Sequence, residues 1–210
     1  MPSVARVIPP RVAVLASGYG TNLQALLDDP VTRPWIALVV SDRDSAVALA
    51  RAEAHGVATA IVDPARSVDR RSFDAELLRV LREADAGFVV LAGYLRVLGP
   101  EVVRAYEGKI LNVHPSLLPA FPGASSVADA LDWGAKVTGV TVHLVDEELD
   151  HGPILAQEAI GIADDDDWDS LEARVHAVEH RLLPAALRAL VDGRVRVEGR
   201  RVRVVEVEGG

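Results

Sequence analysis

The strongest constraint in this chain is an alternation. Short β-branched and aliphatic runs take turns with longer segments rich in Ala, Leu and Arg, the pattern of strand–helix–strand units in an α/β fold. Residues 11–16 are apolar without interruption after Arg11, so they predict a strand buried on both faces of a parallel sheet. A helix is expected over 21–28. Further strands are expected over 35–40, 57–62 and 88–91, and residues 46–54 and 72–84 carry helical spacing between them. A strand over 109–113 runs into His114-Pro115, where the proline ends the ladder. Pro119, Pro122 and Gly123 make 118–123 an irregular loop. A helix is expected over 126–133, then a strand over 137–145 that pairs with 154–160. Asp167-Trp168-Asp169-Ser170 reads as the cap of a long helix reaching about 189, its carboxylates suiting the positive end of the helix dipole. Pro184 is expected to kink or interrupt that helix. Residues 195–204 read as a hairpin turning near Gly199, polar at alternate positions and therefore a surface appendage. With no internal repeat and no linker, one domain is expected over 11–192. An N-terminal extension (1–10) precedes it and a hairpin appendage (193–210) follows.

Composition removes several classes of function. A chain of 210 residues buries roughly 70% of its unfolded surface and needs no staple to hold a core. It has no cysteine, which excludes disulfides, thiolate metal sites and a cysteine nucleophile, and fits a cytoplasmic protein. No stretch reaches the roughly 18 apolar residues of a membrane span, and the first residues lack an apolar signal core. A formal charge of −9 argues against nucleic acid as a partner, which calls for a basic stripe. Aromatics at 4% are too few for a base-stacking platform. A single small anion is still allowed, because backbone N–H groups can cradle it inside an acidic protein.

Two segments carry chemistry. Ser17-Gly18-Tyr19-Gly20-Thr21-Asn22 joins the first strand to the first helix, where open α/β sheets bind ligands and a helix N-terminus offers free N–H groups. A dinucleotide fingerprint would need glycine at position 23, which is Leu23. The segment therefore reads as a monophosphate cradle, or else as a glycine turn with Thr21 as an ordinary cap. Asn112 and His114 stand two apart at a strand end, so both point to one face. Asn can donate to an oxygen that gains negative charge, and imidazole can carry a proton or stabilise an oxyanion. Asp150 sits where Gly152-Pro153 fixes a tight bend, so its carboxylate could face His114 and relay a proton. The plainer alternative is that His114 closes a strand and Asp150 a turn. His143 reads as a hydrogen-bonded structural histidine or as support for the site. His151 reads as a loop histidine or as a neighbour that tunes Asp150. Asp164 to Asp167 read as solvated loop and helix cap, lacking calcium-loop spacing. His55, His176 and His180 lack metal-ligand spacing, so no metal site is expected.

Leu111-Asn112-Val113-His114-Pro115-Ser116-Leu117-Leu118-Pro119 resembles the signature of folate-dependent formyltransferases. Together with Ser17 to Gln24, Leu91 to Arg96, Thr138 to His143 and Leu149 to Ile154, it is similar to the phosphoribosylglycinamide formyltransferase family over about 11–190. The resemblance implies a Rossmann-like, mostly parallel sheet flanked by helices, with an antiparallel extension near 138–160 and a small C-terminal hairpin. It implies transfer of a formyl group from 10-formyltetrahydrofolate to the amine of glycinamide ribonucleotide in purine synthesis, without a metal. Asn112, His114 and Asp150 fall on the family's catalytic triad. Gly18, Tyr19, Gly20, Thr21 and Asn22 fall on its phosphate loop, and Glu179 on the carboxylate that binds ribose hydroxyls. Arg70, Arg96, Val97 and Leu98 fall on folate positions, Asn112 and Asp150 touch folate too, and the pterin slot is reached from Leu91 and Val145. The acidic loop 163–167 falls on a flexible folate-side segment. A homodimer is expected on family grounds only. Ser125 stands where the family usually has histidine near the active centre, which places rate and proton network in question. The rivals are formyltetrahydrofolate hydrolysis, whose enzymes carry an extra N-terminal domain, formylation of initiator methionyl-tRNA, whose enzymes carry a C-terminal barrel, and a catalytically impaired nucleotide- or folate-binding homologue.

Overall fold

The computed structural model describes residues 9–206. Seven strands form one sheet in the order β3-β2-β1-β4-β5-β6-β7. They are β1 (Val12–Leu15), β2 (Ile36–Ser41), β3 (Ala58–Ile61), β4 (Phe88–Leu91), β5 (Ile110–His114), β6 (Val137–Leu144) and β7 (Ile154–Gly161). The first five run parallel, and β6 and β7 are added antiparallel. Helices α1 (Thr21–Asp28), α2 (Val47–Ala54), α3 (Arg70–Glu83), α4 (Pro100–Ala105), α5 (Ser126–Asp132) and α6 (Trp168–Val191) connect and cover it. The mostly parallel α/β architecture with an antiparallel extension is the one expected.

The doubly apolar strands have the cause proposed for them. Val12 and Val14 pack into one cluster with Leu23, Leu26, Leu171, Leu183 and Leu187, while Ala13 and Leu15 pack into another with Leu77, Leu81 and Ile110. The sheet thus has a core on each face. A fully buried leucine such as Leu183, at 0% exposure, contributes about 1.5–3 kcal/mol.

Two expectations need correction, and one helix carries no periodic signal. Pro184 does not interrupt the last helix: α6 runs from Trp168 through Pro184 to Val191. Proline removes only one i→i−4 bond, and Pro184 is buried between Leu183, Ala186 and Leu187, whose packing holds both halves in place. The helix α4 has too few residues to show a period, and its one sequence signal is Pro100 at the first position. The hairpin, β8 (Val195–Glu198) with β9 (Arg201–Val204), is more than an appendage. Val195 packs against the first core, and Arg200 donates to the carbonyl of His151 at 2.6 Å. The expected extension over 1–10 and the last residues of the hairpin segment lie largely outside the described residues.

Candidate active site

The strand order places the crevice. The chain goes from β1 outward to β2 and β3, then returns to the other side of β1 for β4 and β5. The connections that leave the carboxyl ends of β1 and β4 therefore run to opposite sides, and ligands bind at such a switch point. Ser17 ties the two ends together: its N–H donates to the Gly93 carbonyl at 3.0 Å, and its Oγ accepts the Leu95 N–H at 3.0 Å.

The loop after β1 is shaped for close approach. Gly20 has φ +71, and a Cβ there would stand 2.7 Å from the Ala48 Cβ, so both conformation and packing require glycine. A Cβ on Gly18 would meet nothing within 4 Å, which leaves the space above it open. Thr21 is not the cap of α1. Gly20 takes that place, and no side chain accepts from the first helical N–H groups. Tyr19 is 77% exposed at the rim. Asn22 is buried; its Nδ2 donates to Glu179 Oε2 at 2.9 Å, while its Oδ1 is buried without a partner. Burial pushes the Glu179 carboxyl up, against the lowering pull of Asn22. His176 lies 4.0 Å from Glu179. A groove of about 600 Å³ between α1 and α6, lined by Thr21, Gln24, His180 and Pro184, opens beside this loop.

The second segment comes from β5. Leu111 and Val113 face the first core, so alternation turns Asn112 and His114 to the opposite face. Asn112 lies opposite His143 in register, with Nδ2 3.0 Å from His143 Nε2. His143 Nδ1 is 2.9 Å from the Leu144 carbonyl, which can only accept. Burial lowers the His143 pKa, which favours the neutral ring. Its Nε2 must then accept, so the Asn112 amide donates to it and has one N–H left to offer. His143 thus sets the direction of Asn112.

His114 is 4% exposed, with Nδ1 3.5 Å from Asp150 Oδ2. Asp150 has φ +50, a left-handed conformation that Asp tolerates better than most residues, and its Oδ2 accepts the Gly123 N–H at 2.8 Å. The structure thus brings Asn112, His114, Asp150 and His143 together. On the other side of the His114 ring, Nε2 stands 2.9 Å from the Phe121 carbonyl and 3.0 Å from Ser126 Oγ. Sequence reasoning missed Ser126 and singled out its neighbour. Ser125 is exposed and its side chain forms no cap.

The positions expected to face folate are tied to their own neighbours. Arg70 Nη2 donates to the Val97 carbonyl at 2.7 Å. Arg96 Nε donates to Asp42 Oδ2 at 2.9 Å and lies over the Phe73 ring. Burial would raise the Asp42 carboxyl, but hydrogen bonds from Arg43, Ser17 and Arg96 outweigh it and hold it below the usual range. Leu98, Leu91, Tyr94 and Val145 share the second core. Loop 146–151 is tied down from outside: His151 Nδ1 is 2.7 Å from Asp146 Oδ2, and Arg200 Nη1 is 2.9 Å from His151 Nε2. In the acidic loop Asp167 caps α6 in a capping box with Ser170, and Asp166 pairs with Arg174. Among the described residues, no three His, Cys, Asp or Glu side chains gather as a metal site would require.

Known proteins are similar to this chain in sequence and fold. A formyl transferase family model matches residues 10–187. Phosphoribosylglycinamide formyltransferase of Bacillus subtilis is 40% identical over 184 residues, covering 86% of this chain and 94% of that protein. Trifunctional purine biosynthetic protein adenosine-3 of Gallus gallus is 44% identical over 190 residues; the match takes in 89% of this chain but 19% of that longer protein. Glycinamide ribonucleotide transformylase 1 from Symbiobacterium toebii superposes with a TM-score of 0.91 at 43% identity, over 94% of this chain and 95% of that one. A formyltetrahydrofolate deformylase from Pseudomonas syringae superposes with a TM-score of 0.85 at 31% identity, over 95% of this chain and 67% of that one. By the family match along most of its length and by these relatives, the chain belongs to the formyl transferase family.

Proposed function

We propose that this protein transfers the formyl group of 10-formyltetrahydrofolate to the amine of glycinamide ribonucleotide. The observation that carries this reading is that Asn112 and His114 lie on one face at the carboxyl end of β5, with His114 Nδ1 3.5 Å from Asp150 Oδ2. The neutral substrate amine attacks the formyl carbon, forming a C–N bond and a tetrahedral oxyanion. The free Asn112 N–H and protonated His114 stabilise that charge, a contact worth about 10²–10³ in rate. Asp150 accepts the proton of the attacking amine and returns it to the folate N10 as the C–N10 bond breaks.

The loop Gly18, Tyr19, Gly20, Thr21 and Asn22 would hold the substrate phosphate on the uncapped start of α1, and Glu179 would accept ribose hydroxyls. Arg70, Arg96, Val97 and Leu98 would border the folate. Because Arg96 is engaged by Asp42 and the Val97 carbonyl accepts from Arg70, the other backbone groups of 96–98 are the ones left to bind it. No metal enters the reaction. The acidic charge of −9 speaks against nucleic acid, no described helix is long and apolar enough to cross a membrane, and the cytoplasm and a homodimer complete the proposal. Light scattering tests the homodimer.

Hydrolysis of the formyl folate is the second reading, favoured by the structural likeness to a deformylase. Carbon-13-labelled formyl folate, given with and without glycinamide ribonucleotide, separates the two. Label in the ribonucleotide amide supports transfer; label in formate, released without the amine, supports hydrolysis.

A further inference from the structure

Ser126 belongs to no part of the site identified above from the sequence, yet it touches the catalytic imidazole. It is 1% exposed. Its Oγ lies 2.9 Å from the Gly123 carbonyl and 3.0 Å from His114 Nε2. The Phe121 carbonyl stands 2.9 Å from the same nitrogen. A carbonyl only accepts, and a hydroxyl has one proton to give. The Gly123 carbonyl takes that proton, so the serine oxygen presents a lone pair to Nε2. Both neighbours of Nε2 are therefore acceptors, and Nε2 must carry hydrogen in every protonation state of the ring.

We infer that Ser126 is a positioning residue: with the Phe121 carbonyl it locks His114 as the Nε2–H tautomer, leaving Nδ1 as the nitrogen that gains and loses the proton. Nδ1 is the atom that faces Asp150, 3.5 Å away. The ionisable groups beside the ring are Asp150, on the turn after β6, and His143, on β6 itself. Were the tautomer reversed, Nδ1 would hold its hydrogen permanently against Asp150, and the exchangeable nitrogen would be buried against Phe121 and Ser126, away from any substrate. Phe121 has φ +49 and Gly123 φ +94, so the loop before α5 turns sharply enough to bring the Phe121 carbonyl and the Ser126 hydroxyl to one ring nitrogen, with the Gly123 carbonyl taking the hydroxyl proton. This assignment deepens the formyl-transfer reading and rests on it for its catalytic meaning, but the tautomer can be read without turnover.

The test is long-range proton–nitrogen correlation NMR on the protein labelled with ¹⁵N-histidine, with the His114 signals identified by their loss in His114→Asn. In the neutral ring, Nε2 is expected to be the protonated, pyrrole-type nitrogen. A proton on Nδ1 overturns the inference. Ser126→Ala is expected to lower kcat about tenfold, the effect of one net hydrogen bond. The KM for both substrates should stay within about twofold, since no binding contact is lost. Ser126→Thr, which keeps the hydroxyl, should restore most of the rate. An unchanged kcat in Ser126→Ala, or an equal loss in Ser126→Thr, also overturns it. If Ser126→Ala does not fold, the wild-type spectrum alone decides. Wild-type protein with the expected tautomer but no formylated ribonucleotide would refute the proposed function and leave the tautomer assignment standing.

Discussion

Replacing Asp150 by Asn separates charge from shape at the centre of the site. Oδ2 of Asp150 both accepts the Gly123 N–H at 2.8 Å and faces His114 Nδ1 at 3.5 Å. An amide oxygen in its place keeps both contacts, and Asn tolerates the left-handed φ of +50 at this position. What disappears is the negative charge and the capacity to take a proton. Both side chains are more than nine-tenths buried, and at an effective dielectric of ~20 a full charge pair at this distance is worth about 5 kcal/mol. Desolvation offsets part of that, so the loss should fall near 3–4 kcal/mol, a drop of about 10²–10³ in kcat. Steady-state appearance of tetrahydrofolate measures it, with binding of glycinamide ribonucleotide followed by calorimetry. Asp150→Ala should lose comparable rate and also stability, because alanine strains at positive φ and leaves Gly123 unpaired. The reasoning is refuted if Asp150→Asn keeps kcat within about threefold while binding both substrates, since acid–base assistance is worth far more than that.

Other outcomes follow from the surrounding groups. Burial raises the Glu179 carboxyl, so the folded state binds its proton more tightly than the unfolded state. Stability therefore falls as pH rises from the ordinary carboxyl range through the raised folded value. Glu179→Gln should melt higher than wild type at neutral pH, lose that advantage in acid, and raise KM for the ribonucleotide. His143 is shifted the other way: its folded pKa is lowered, so its contribution is present above the ordinary histidine range and lost as pH falls toward the folded value. His143→Ala removes the acceptor that directs Asn112 and should cost about tenfold in kcat, one net hydrogen bond; the melting curves and rates check both. Gly20→Ala, with its Cβ against Ala48, should destabilise by about 1–3 kcal/mol and weaken ribonucleotide binding in calorimetry. Arg200→Ala should speed hydrogen exchange across 146–152 with only a small change in melting temperature, because exposed pairs contribute little.

What could be read from the chain was what neighbours in sequence decide. The apolar run at Val12–Leu15 needs cover on both faces wherever it goes, and β-strand alternation alone puts Asn112 and His114 on one side. The Gly18–Gly20 spacing already pointed to a close backbone approach. Contacts made by loops were hidden. Ser126 reaches His114 because Phe121 and Gly123 take left-handed conformations, and nothing in the residues between Pro115 and Ser125 spells out that path. The tie from Arg200 to His151 crosses 49 positions. Pro184 shows a related override: the helix is not interrupted there, because Leu183 and Leu187 beside it are held in the first core.

The central claim is that Asn112 and His114 carry formyl transfer to glycinamide ribonucleotide. Its most direct test is the rate of formylated ribonucleotide formation by wild type, Asn112→Ala and His114→Ala, with binding of both substrates measured on the same preparations. The account predicts turnover by the wild type and its loss by about 10²–10³ in each variant, with ribonucleotide affinity retained. Undiminished transfer in either variant, or formate released at the same rate whether or not the amine is present, would contradict it.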